Sequence, residues 1–258
     1  KTGLRIVDMV KDDLTPSIIM TRESFENAII VNSAIGGSTN AQWHITAIAR
    51  HVGVELETAA WQNVGYDIPL MANIQPAGEY LCESYHRAGG TAAIMSELLE
   101  NSKLHGDVMT VSGKKMSENL KGIKIKDEKV ITPFKKPMKQ KAGFIVLKGN
   151  LFESAIMKTS VISKEFKDKF LSRPGKEGVL EGRVIVFEGS EDYHDRLNDK
   201  SLNMDENSIL VIRGAGPVGW PGSAEVVNMQ PSDELIKQGI TELPCIGAVS
   251  YTHLTLPT

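Results

Sequence analysis

The chain has 258 residues, 41% hydrophobic and 24% charged, the balance of a packed globular protein with room for one large or two ordinary domains. Its 29 Lys and Arg against 32 Asp and Glu give a net charge of -3, which excludes a broad electrostatic drive toward nucleic acid or an anionic membrane. Only Cys82 and Cys245 are present, with no C-x-x-C pair and no apolar run of the roughly 18 residues that span a bilayer, which excludes a disulfide framework, a cysteine-built metal site drawn from this chain alone, and a membrane helix.

A small-molecule partner and a reducing, cytoplasmic setting fit this composition. Lys1 to Val7 carry neither an initiator Met nor the order of a signal peptide, so the sequence is expected to be the middle of a longer protein. From Arg22 to about Leu120 the signals are mainly helical. Helices are predicted over Glu23–Ile30 and Ala41–Val52, where Ile45, Ile48, Ala49 and Val52 recur at helical spacing and Gly53 closes the run. A second pair is predicted over Glu79–Ala88 and Ala92–Leu99, divided by Gly89 and Gly90, and Asp107–Val111 reads as a short strand.

Between Lys121 and Lys141 the chain becomes rich in Lys, with Pro133 and Pro137 unable to continue a helix. The boundary is placed there, giving an α/β part over 1–132, a linker over 133–142 and a mostly β, barrel-like domain over 143–247, both domains incomplete. The second domain rests on short runs rich in Val and Ile at Gly143–Leu147, Ala155–Val161, Arg183–Phe187 and Ser208–Ile212. Lys135, Lys136, Lys139 and Lys141 fit a solvated linker better than an anion site.

Two glycine-rich segments offer chemistry. Gly36-Gly37-Ser38-Thr39-Asn40 stands directly before a predicted helix, where glycines let a ligand approach the backbone and unpaired N–H groups favour carboxylate or phosphate. A plain N-cap behind a tight turn accounts for the same residues. Gly214-Ala215-Gly216-Pro217-Val218-Gly219 matches G-x-G-x-x-G in form, but Trp220-Pro221-Gly222 continues the loop where a dinucleotide site needs a helix. This loop is stiff and delivers Glu225 to a fixed place, or leaves it as an exposed surface carboxylate. No histidine has metal-ligand spacing, and His105-Gly106-Asp107 fits an ordinary turn better than a pocket edge.

Together these segments resemble the IlvD/Edd dehydratase family, which includes dihydroxy-acid, phosphogluconate and pentonate dehydratases. The resemblance is collinear over roughly Leu4 to Gly247. It runs through Ala34–Ala41, His86-Arg87-Ala88-Gly89-Gly90, Leu104-His105-Gly106-Asp107, Thr110-Val111-Ser112-Gly113, Lys148-Gly149-Asn150-Leu151 and Gly216–Glu225. It implies a hydro-lyase that removes water from a 2,3-dihydroxy carboxylate to leave a 2-oxo acid. The cofactors it implies are an iron-sulfur cluster, expected as 2Fe-2S, acting as Lewis acid on the C3 hydroxyl, and Mg2+ on the carboxylate and C2 oxygen. A homodimer or higher homo-oligomer is expected.

Carried over residue by residue, Glu225 matches the family's Mg2+-ligating glutamate, and Ser38, Thr39 and Asn40 match a segment beside the substrate pocket. The cluster cysteines belong to motifs that would precede Lys1. After Gly247 the family continues with a segment bearing its catalytic serine, whereas this chain reads Ala248-Val249-Ser250 to Thr258, expected to be a non-native tail over 248–258. No catalytic residue is therefore expected in the chain, and Ser250 is not the base. Glu191-Asp192-Tyr193, Asp205-Glu206-Asn207 and Val10–Leu14 resemble the pentonate branch of the family more than the branched-chain amino-acid branch, which implies a sugar acid such as a pentonate as substrate. The alternatives are a dihydroxy-acid dehydratase of branched-chain amino-acid synthesis, or a nucleotide-binding module built on the 214–222 loop.

Overall fold

The structure is a computed structural model that describes residues 2–150, 155–213 and 229–246. Thr2–Lys11 forms α1, which buries none of its residues and leaves Leu4, Ile6, Val7 and Val10 exposed. Pro16–Ile19 forms the short α2, with Pro16 in the first turn, where its missing N–H breaks no helical bond.

Arg22–Ala34 forms α3, the organising helix of the first half. Thr21 caps it by accepting the Ser24 N–H at 3.4 Å, and Glu23 sits in the first turn where the helix dipole favours an anion. Residues four apart share a helix face. Phe25 and Ile29 thus pack with Ala49, Leu56, Trp61 and Phe144. Ile30 and Ala34 face the other way, toward Met71, Ile94, Leu98 and Ile131.

Asn40–His51 forms α4, close to the predicted bounds. It closes at Gly53, whose φ is +76°, with the Val54 N–H donating to the Ala49 carbonyl at 2.8 Å and the Gly53 N–H to Arg50, the two bonds of a Schellman end. Ala59–Gly65 (α5), Cys82–Arg87 (α6), Gly90–Glu100 (α7) and Met116–Leu120 (α8) follow. α6 starts later than the sequence predicts because Glu79 and Tyr80 are tied elsewhere: both backbone N–H groups donate to Asn73. The strand expected over Asp107–Val111 is reduced to one isolated bridge, Met109 with Lys115. Thr110 and Ser112 instead join Asn119 and Lys114 in a tight polar turn.

Phe144–Leu147 (β1) and Ala155–Lys158 (β2) form an antiparallel hairpin with Phe144 opposite Lys158. Gly143 lets β1 approach α5, since a Cβ there would stand 1.9 Å from the Gly65 carbonyl oxygen. The neighbouring Phe144 ring meets Trp61 edge-on at 5.3 Å. Residues 133–142 run beside the segment before α6, Leu70 pairing with Lys139, and Ala142 is buried. The chain divides into two compact units, Lys1–Ile162 and Ser163–Thr258.

The second unit begins with Lys164–Phe166 (α9), which runs into a π turn over Lys167–Leu171. Arg183–Glu188 (β3), Gly189–Arg196 (α10), Ser208–Arg213 (β4), Asp233–Lys237 (α11) and Cys245–Ile246 (β5) follow. β3, β4 and β5 are parallel neighbours in that order. The molecule is α/β in content, but the mostly β, barrel-like second domain is corrected: the described residues contain an open three-stranded sheet and a separate hairpin, and no closed barrel. Parallel neighbours require crossover connections, and α10 and α11 lie in them. Gly189–Arg196 escaped the sequence reading because Tyr193 is its one large apolar residue, set edge-on against Phe187 at 5.2 Å. Among the described residues, no helix is long and apolar enough to cross a membrane.

Candidate functional site

The Gly36–Asn40 segment turns the chain from α3 into α4. Gly36 has φ +63°, a left-handed conformation that favours glycine, and a Cβ on it would press to 2.9 Å from Leu70. A Cβ on Gly37 would meet the Asn32 side-chain oxygen at 1.9 Å. A side chain there would displace Asn32, whose Nδ2 donates to the Ser38 carbonyl at 3.3 Å. Gly36 is therefore required by the left-handed conformation of the turn, while Gly37 leaves room for the Asn32 side chain.

Ser38 begins the helix by accepting the Asn40 N–H on its hydroxyl at 3.1 Å, and its carbonyl takes the Ala41 N–H. Thr39 occupies the N-cap position without a side-chain cap bond. The backbone N–H groups of Ser38 and Thr39 make no hydrogen bond among the described residues. Cap chemistry and an open pair of amides thus coexist in the same four residues.

The turn forms one wall of a cleft of about 340 Å³, lined by Ile35 to Thr39, by Ile74-Gln75-Pro76 and by Lys158. Asn40 is not among the lining residues, since it has entered the helix. The opposite wall is held by Asn73, whose Nδ2 donates to the Lys129 carbonyl at 3.0 Å, while the Gln75 N–H donates to the Tyr80 carbonyl at 2.9 Å. Lys158, at the end of β2, donates from Nζ to the Gly36 carbonyl at 3.2 Å. Burial holds its ammonium below the usual lysine range. Among the described residues of the lining it is the one ionisable side chain, which makes that part of the cleft weakly cationic.

The other residues singled out in the sequence are placed differently. His105 Nε2 pairs with Glu26 at 2.9 Å and Asp107 with Lys115 at 2.9 Å, so the two flanks of Gly106 serve separate surface pairs. The Lys115 ammonium holds the Asp107 carboxyl below its ordinary range. Of the lysine run, Lys139 donates to the Thr159 and Ile162 carbonyls, and Lys141 lies 3.6 Å from Asp67. Glu225, the 214–222 loop and the 248–258 tail with Ser250 lie outside the described residues. Lys158 and the Ile74–Pro76 wall were missed, although a lysine ending the apolar run Ala155-Ile156-Met157 was a visible signal.

The described residues do not fit an iron-sulfur cluster or Mg2+. Among them, no three His, Cys, Asp or Glu side chains gather where a metal ion would sit. Cys82 is exposed, and burial pushes the Cys245 thiol up to about 11.

The chain belongs to the dihydroxy-acid/6-phosphogluconate dehydratase family: the model of the family's N-terminal part matches residues 1–119 and that of its C-terminal part residues 129–248. Within it, the chain is 61% identical over 247 residues to D-xylonate dehydratase of Caulobacter vibrioides, covering 96% of this chain and 41% of that protein. It is 43% identical to L-arabinonate dehydratase of Rhizobium leguminosarum bv. trifolii, covering 94% of this chain and 40% of that one. Dihydroxy-acid dehydratase of Lactococcus lactis subsp. cremoris is 35% identical over 92% of this chain and 40% of its own length. The chain thus spans about two fifths of the length of the curated relatives it matches.

Proposed function

We propose that the whole protein is a hydro-lyase that dehydrates a sugar acid, a pentonate, to a 2-oxo acid. The observation that carries this reading is the 61% identity to a D-xylonate dehydratase over nearly the whole chain, against 35% to a dihydroxy-acid dehydratase. An iron-sulfur cluster and Mg2+, with Glu225 as one Mg2+ ligand, belong to the proposal for the whole protein and rest on the family resemblance. The described residues hold no cluster of three His, Cys, Asp or Glu side chains for either group. A homo-oligomer in the cytoplasm completes the reading.

In this reading the Gly36–Thr39 cleft receives part of the substrate. The Ser38 and Thr39 hydroxyls both donate and accept, which suits the hydroxyl row of a pentonate, and their open amides suit an anionic oxygen. Asn40 contributes by starting α4 rather than by reaching the cleft. A fixed backbone turn exacts little ordering entropy on binding and so orients its ligand efficiently.

The test is 2-oxo acid formation by the whole protein offered D-xylonate, L-arabinonate and 2,3-dihydroxy-3-methylbutanoate. Turnover of a pentonate at the higher kcat/KM is expected. Turnover of the branched-chain substrate alone would assign the protein to amino-acid synthesis instead.

A further inference from the structure

The Lys158 ammonium stands in a setting that needs an anion. It has three N–H donors, and the Gly36 carbonyl takes one. It makes no ion pair among the described residues, and burial strips water from it without supplying a carboxylate. Lys158 lines a cleft together with residues that include Ser38 and Thr39, whose backbone N–H groups are unbonded among the described residues. Ser160, outside the lining, is 6% exposed, its Oγ has no hydrogen-bond partner among the described residues, and a Cβ on Gly36 would come within 3.5 Å of it. Ammonium and amides thus border one cleft from β2 and from the α3–α4 turn, with no acidic side chain among the described residues of its lining.

We propose that Lys158 is a substrate-binding residue whose Nζ pairs with the carboxylate of the hydroxy acid held in this cleft. Its bond to the Gly36 carbonyl fixes the ammonium against the turn, so the same contact that shapes the site also aims the charge. A carboxylate offers about four lone-pair directions over two oxygens, so a lysine contact leaves room for another cation on its far side. The choice of a hydroxy acid as ligand rests on the sugar-acid reading above, whereas the carboxylate contact rests on Lys158 and the cleft.

The experiment is a titration of the whole protein, 13C-labelled at the lysine ε-carbons, with D-xylonate, acetate and neutral xylitol. The Lys158 signal, assigned by its loss in Lys158→Met, is expected to shift with both carboxylates and to ignore xylitol. Lys158→Met is expected to weaken D-xylonate binding at least about tenfold, the loss of one charge-assisted hydrogen bond. Lys158→Arg, which keeps the charge, is expected to stay within about threefold of wild type. A Lys158 signal indifferent to both carboxylates overturns the proposal, as does a Lys158→Met variant that melts like wild type and binds D-xylonate undiminished. A response to acetate but not to D-xylonate supports Lys158 as the carboxylate contact and removes the sugar-acid reading.

Discussion

Gly143 and Gly149 stand six residues apart around β1, yet their backbones meet different surroundings. A Cβ at Gly143 would collide with the Gly65 carbonyl at 1.9 Å, while one at Gly149 would meet nothing within 4 Å among the described residues. Gly143→Ala is expected to cost about 2 kcal/mol or more, and Gly149→Ala to stay within about 0.5 kcal/mol, in denaturant unfolding. Equal effects would contradict the close packing of β1 on α5. Asn27 is buried and clamps the His105 backbone from both sides, donating at 3.0 Å and accepting at 2.8 Å. Asn27→Ala leaves both backbone groups unpaired and is expected to cost about 2–3 kcal/mol in the same measurement. The two cysteines should differ in reactivity. With its thiol pushed up to about 11, Cys245 carries roughly one thiolate per thousand molecules at pH 8. Iodoacetamide at that pH is expected to label exposed Cys82 and spare Cys245 until the chain is denatured, as read by peptide mass spectrometry. Raising the pH toward 11 should bring Cys245 into reaction, since the deprotonated fraction grows as pH approaches the raised value.

At the scale of elements, α3 links two hydrophobic clusters of the first unit. Ile29, fully buried on it, is expected to lose about 2–5 kcal/mol as Ile29→Ala. Val10→Ala on the exposed α1 is expected to lose under about 0.5 kcal/mol, and a loss equal to that of Ile29→Ala would contradict the description of α1. The sequence disclosed α4 nearly residue for residue, because its period and the Gly53 stop are local. α3 was legible only to Ile30, since a helix buried on two sides lacks one apolar stripe. Val- and Ile-rich runs located β1 to β4 but not their pairing. The crossover helix α10 carries almost no apolar residue, so strands alone were visible and a mostly β reading followed. The Asp107–Val111 pattern has strand composition, but its neighbours Lys114 and Asn119 capture it as a turn.

For the whole molecule, family membership was legible in the order of short glycine-rich segments, each weak alone. One wall of the cleft was legible as well, because glycines, hydroxyls and a helix start are contiguous from Gly36 to Asn40. The remainder was not. Lys158 meets Gly36 across 122 residues of sequence, and no local pattern announces a contact made by a hairpin folding back on a turn. The most direct test of a substrate-facing Gly36–Thr39 turn is kcat/KM for D-xylonate in the whole protein carrying Ser38→Ala and Thr39→Val together. Removal of both hydroxyls is expected to lower kcat/KM roughly tenfold to hundredfold with the melting temperature retained. An unchanged kcat/KM in the folded variant would contradict it.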